Sequence, residues 1–96
     1  MEITGLRAEI DAVDAEIVRL FQNRMEIAEK IARCKMEADL PVADTDRERE
    51  LIRRRREWAD GDMRIYVEKL FETILVLSKD YQRLIMAKNS RNAEDV

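Results

Sequence analysis

Six polar side chains of this 96-residue chain stand beside apolar stripes, where a small helical core has little use for them: Arg24, Lys35, Arg47, Glu48, Ser78 and Gln82. Their types bound the chemistry. The chain has no histidine and a single cysteine, Cys34, which excludes an internal disulfide, the usual histidine-based metal clusters and the Ser-His and Cys-His nucleophile pairs. What remains is a set of cations, carboxylates and neutral donors. Whatever chemistry occurs here uses Arg, Lys, Asp, Glu, Ser and Gln. Each residue also has an ordinary structural reading. Arg24 could set helix register opposite a protein carboxylate, Lys35 could snorkel at a helix end, Glu48 could complete a capping box, and Ser78 with Gln82 could face water. Taken together they point elsewhere, because six polar groups on different turns of one three-helix core describe the wall of a polar cavity.

The elements that must position them follow from apolar spacing. Ile3, Leu6, Ile10, Val13, Ile17, Leu20, Ile27, Ile31 and Cys34 recur on alternating three- and four-residue steps, with Arg24 filling one step of the same seam. This predicts one helix over residues 4–37, about 50 Å long at 1.5 Å per residue. A seam that outruns its own domain must be covered by another chain, so a two-fold dimer is expected. Burying the unpaired Arg24 guanidinium would cost several kcal/mol, about the penalty for an isolated buried charge, so an anion must meet it. Arg7 and Arg24 are seventeen residues apart, about 25 Å along the helix, too far for one small ligand to touch both in one subunit. Lys35 lies three turns beyond Arg24 on nearly the same stripe, and the two can flank one cavity over Ile27, Ala28 and Ile31.

Pro41 ends that helix, and the next begins with Asp44 or Thr45 as its cap; Thr45 with Glu48 has capping-box spacing. The second helix runs to about Trp58 and turns Arg47 and Glu48 inward beside Leu51. Asp60-Gly61-Asp62 forms the next turn, with Asp62 as a cap for a third helix over residues 63–88. There Val67, Leu70, Ile74, Leu77, Tyr81 and Leu84 carry the stripe, and Ser78 and Gln82 sit one turn apart beside it. Residues 89–96 have no apolar period and are expected to fray. With 41% charged and 46% hydrophobic residues, two glycines and one proline, the whole of 1–96 is one all-α domain. The N-terminus lacks a basic segment followed by an apolar run, and no stretch is long enough to span a bilayer, so a cytoplasmic location without a membrane partner is expected. Arg53-Arg54-Arg55-Arg56 reads as a solvated helix face, since a net charge of -3 argues against nucleic acid.

The stretch Pro41-Val42-Ala43-Asp44-Thr45-Asp46-Arg47-Glu48-Arg49-Glu50 is the most specific part of the chain. Together with Leu6-Arg7, Asn23-Arg24-Met25-Glu26-Ile27-Ala28, Lys35, Ser78 and Gln82, in this order and spacing, it resembles the all-helical chorismate mutases of the shikimate pathway. The resemblance covers Leu6 to about Gln82. It implies three helices in an intertwined homodimeric bundle, and the pericyclic (Claisen) rearrangement of chorismate to prephenate in aromatic amino acid biosynthesis. No cofactor and no metal are implied. By the same resemblance Arg24 and the Arg7 of the other subunit hold carboxylates, Lys35 and Gln82 donate to the ether oxygen, and Ser78 supports a carboxylate. Glu48 and the backbone near Asp44 take the ring hydroxyl, Arg47 lines the site and orients Glu48, and Ile31 supplies part of the wall. Two rivals stand beside this reading: an isochorismate pyruvate-lyase of the same fold, and a catalytically silent dimerisation or regulatory module. The silent module predicts Arg24 and Lys35 neutralised by protein carboxylates in a closed core. Family members occur alone and fused to dehydratase, dehydrogenase or synthase domains, and a chain of this length fits either arrangement.

Overall fold

The computed structural model describes residues 2–94, which form α1 (Ile3–Glu37), α2 (Thr45–Trp58), a 3-10 turn (Gly61–Met63) and α3 (Arg64–Glu94), with no strand among the described residues. The all-α class follows directly from the apolar spacing. α1 closes where Asp39 takes the left-handed conformation (φ 55°) that a short polar side chain tolerates, and Leu40 N–H returns to Lys35 O at 2.8 Å. Pro41 then prevents the helix from resuming. The cap of α2 is Asp44, whose carboxylate accepts from Arg47 N–H at 3.1 Å, while Glu48 Oε2 accepts from Asp44 N–H at 3.0 Å. The capping box is thus closed from Asp44, with its acid four residues on.

Two boundaries differ from the spacing argument. Asp62 lies inside the 3-10 turn and caps nothing; Gly61 supplies a positive φ of 33° there, Met63 N–H bonds Asp60 O at 2.8 Å, and α3 starts at Arg64. At the other end α3 continues through Glu94, so the fray expected from residue 89 is corrected for 89–94, and residues 95–96 lie outside the described residues. The apolar period stops near Ala87, but no Gly or Pro follows. Polar residues cost only a few tenths of a kcal/mol each in a helix, about what an intact backbone ladder tolerates.

α3 packs on both α1 and α2, whereas α1 and α2 do not approach each other, so a cleft is left between them. The α1–α3 contact is built on Ala28 and Ala32, small residues one turn apart, and α2 contributes Leu51. On α3 the buried line is Ser78, Gln82 and Ile85; the expected seam residues Leu70, Leu77 and Leu84 are exposed. Among the described residues no large side chain is fully buried. Along the first half of α1 the seam residues Ile3, Ile10, Val13, Ile17 and Leu20 are each more than half exposed. The molecule measures 61 × 29 × 14 Å, with a radius of gyration of 17.3 Å against about 12.5 Å for a compact domain of this length.

Candidate active site

The cleft between α1 and α2 has a volume of about 430 Å³, in the range of small-molecule sites. α1 lines it with Arg24, Ile27, Ala28, Ile31 and Lys35, residues on one stripe three to four apart. α2 and its cap contribute Asp44, Arg47, Glu48, Leu51 and Arg55, and α3 contributes Leu75, Ser78, Lys79 and Gln82. Val42 closes the end beside the α1–α2 loop. Apolar side chains from all three helices are thus interleaved with two separate sets of polar groups.

One set is a hydrogen-bonded chain. Lys35 Nζ donates to Val42 O at 2.6 Å and to Gln82 Oε1 at 3.1 Å, and Gln82 Nε2 donates to Ser78 Oγ at 3.2 Å. An ammonium has three N–H bonds and an amide nitrogen two, so Lys35 and Gln82 each keep one donor beyond this chain. Because Oε1 of Gln82 faces Lys35, its amide N–H bonds are oriented away from the ammonium. Next to them each oxygen of Glu48 has one partner, Oε1 pairing with Lys79 Nζ at 2.6 Å and Oε2 taking the Asp44 N–H, and each keeps a lone pair to accept with. The Lys79 hydrogen bond, with help from Asp44 N–H and against the cost of burial, holds the Glu48 carboxyl below its usual range.

The other set is cationic. Arg24, Arg47 and Arg55 line the same cleft, and among the described residues none of the three is paired with a carboxylate. Burial, then Arg55 and Arg47, lower the pKa of Arg24; burial, then Arg47 and Arg54, lower that of Arg55. Guanidiniums gathered without a counter-charge are costly, and an arriving anion removes that cost. The closed core with neutralised cations that a silent module requires is not what the chain forms. No group of three or more His, Cys, Asp or Glu placed to hold a metal ion occurs among the described residues, and none of their helices is long and apolar enough to cross a membrane.

The profile of the chorismate mutase type II family matches residues 6–83, which contain every residue of this cleft. The chain belongs to that family. A solved structure of a conserved hypothetical protein from Pyrococcus furiosus superposes with a TM-score of 0.68 at 41% identity, covering 83% of this chain and 93% of that one. The bifunctional chorismate mutase/prephenate dehydratase of Aquifex aeolicus is 43% identical over 51 residues, 53% of this chain and 14% of its own length. The T-protein of Haemophilus influenzae is 35% identical over 54 residues, 56% of this chain and again 14% of its length. The chain therefore matches about a seventh of the length of these relatives.

Within this type II chorismate mutase domain the cleft brings together Arg24, Lys35, Glu48, Gln82, Ile31, Asp44, Arg47 and Ser78, all singled out from sequence. Arg7 is not among them; it lies on the exposed first half of α1, away from the cleft of its own chain. Arg55 and Lys79 are in the cleft but were not singled out. Arg55 is concealed in a run of four arginines, although its spacing of four from Leu51 and eight from Arg47 places it on their stripe. Lys79, next to Ser78 and three residues before Gln82, reads as surface until Glu48 is found opposite it.

Proposed function

We propose that this cleft catalyses the rearrangement of chorismate to prephenate. The observation that carries the reading is the division of the cleft into an unpaired guanidinium set and a hydrogen-bonded donor set, the Lys35 ammonium with the neutral Gln82 amide, each partner keeping one N–H to give. The reaction is unimolecular: an ether C–O bond breaks as a C–C bond forms, with negative charge gathering on the oxygen. No nucleophile is needed. The substrate is a dicarboxylate that must be held in a chair-like conformation, and fixed cations at its carboxylates do that work of orientation. Lys35 and Gln82 donate to the ether oxygen as its charge grows, Arg24 and Arg47 take a carboxylate, and Ser78 supports one. Glu48, kept ionised by Lys79, accepts the ring hydroxyl together with the backbone near Asp44. Ile27, Ile31, Leu51 and Leu75 form the apolar wall.

The active form in this reading is a homodimer, in which a second copy brings its Arg7 to the cleft. The exposed apolar seam of α1 supports it, as does the accessible surface of 7739 Å², about 2,000 Å² more than a compact monomer of 11.4 kDa presents. That excess is of the order obligate dimers bury. The reaction belongs to aromatic amino acid biosynthesis, and we place it in the cytoplasm. The test is turnover: purified protein should consume chorismate and release prephenate, and should not release pyruvate from isochorismate. Folded protein that leaves chorismate unchanged would overturn the reading.

A further inference from the structure

Of the four consecutive arginines on α2, three are held by carboxylates: Arg53 by Glu50 and Glu57, Arg54 by Glu50, and Arg56 by Glu68 on α3. Arg55 has no such partner among the described residues. Its Cζ lies instead 4.3 Å from the centroid of the Trp58 ring and 5.8 Å from that of Phe71, a cation–π arrangement at the wall of the cleft. Arg47, Leu51 and Arg55 follow one another at four-residue spacing, so the two guanidiniums flank the buried Leu51 on the side facing Arg24. A ring face retains a guanidinium weakly and leaves its N–H fork open to a carboxylate in the plane.

We infer that Arg55 is the third carboxylate-binding guanidinium that one chain gives to this cleft, held on the Trp58 ring beside Arg24 and Arg47, and that it sets affinity for a dianionic ligand. The inference rests on the mutase reading for the identity of that ligand, but not for its charge. Besides burial, Arg55 and Arg47 repel the Arg24 guanidinium, and Arg47 repels that of Arg55, a cost that an arriving carboxylate relieves. Because Arg55 is no part of the hydrogen-bonded chain of Lys35, Gln82 and Ser78, its effect is expected on binding and hardly on the chemical step.

Arg55→Met keeps an unbranched side chain that can cover Trp58 while removing the charge. Relative to wild type, it should raise KM for chorismate about tenfold, the scale of one lost charge-assisted bond, with kcat changed less than about threefold. Arg55→Lys should recover part of the affinity. An unchanged KM in a folded Arg55→Met protein overturns the inference, as does a loss that follows weakened self-association in sedimentation. A second readout does not depend on turnover. Trp58 is the only tryptophan, so its fluorescence, titrated with malate as a small dicarboxylate at constant ionic strength, should change saturably in the wild type and not in Arg55→Met. If wild-type protein leaves chorismate unchanged, the mutase reading fails, and the malate titration alone decides Arg55. No saturable change in wild type, or the same change in both proteins, overturns its role.

Discussion

Lys35 spends two of its three N–H bonds on Val42 O and Gln82 Oε1, and in the proposed mechanism the remaining one, with the spare N–H of Gln82, meets the developing oxyanion. Removing either Arg24 or Lys35 as Ala should therefore lower turnover by at least about 100- to 1000-fold, the loss typical of one preorganised donor. Folding should survive in both, as circular dichroism would show; a near-normal rate in folded Arg24→Ala protein would return Arg24 to a register-setting role. Gln82 has nothing to titrate, so wild-type activity should change little from mildly acidic to mildly basic pH. Gln82→Glu should behave differently, because an ionised carboxylate cannot donate and repels a dianion. Its kcat/KM should fall as pH rises through the glutamate pKa and be highest toward acid; a flat profile would remove residue 82 from the ether oxygen. Arg24, Lys35, Ser78 and Gln82 were legible in sequence because each is a polar residue where the apolar stripe does not call for one. Arg55 was not, because its three paired neighbours disguise it as surface.

At the scale of elements, α2 is tied to α3 through Glu48 and Lys79, and its own exposed face through Glu50, whose carboxyl is lowered to about 2, chiefly by Arg53 and Arg54. Both acids have folded-state pKa values below the usual 4.5, so their contribution is complete above that pH and is lost as pH falls through the lowered values. Thermal stability should accordingly decline below about pH 4.5. Glu48→Gln should flatten part of that decline, and an identical pH slope in the variant would show that the pair with Lys79 contributes nothing to folding. Lys79→Ala should cost about 1 kcal/mol, or roughly 4–8 °C in Tm, and should also displace Glu48 from its position at the cap. Helix existence and order were legible from apolar spacing, Pro41 and the Asp44 region. The ends of α3 were not: its start depends on the 3-10 geometry at Gly61, and its extension to Glu94 needs only an unbroken backbone ladder.

The whole molecule is flat and apolar along α1, and a single copy covers neither that seam nor the distance from Arg7 to the cleft. The length of the heptad made this readable from sequence, whereas the face that α1 turns to α3, through Ala28 and Ala32, could not be read because alanine carries no strong pattern. The dimer should dissociate only with unfolding, and a stable folded monomer in sedimentation at micromolar concentration would contradict this. The proposed site shared between two chains is tested most directly by complementation. Arg7→Ala and Arg24→Ala homodimers should each be nearly inactive on chorismate. In a heterodimer of the two, one site collects both lesions and the other neither. Co-refolding equal amounts gives about half heterodimers on random pairing, each with one intact site, so the mixture should regain roughly a quarter of wild-type activity. A mixture that stays as inactive as its separate components, while mass spectrometry shows heterodimers present, would contradict the account.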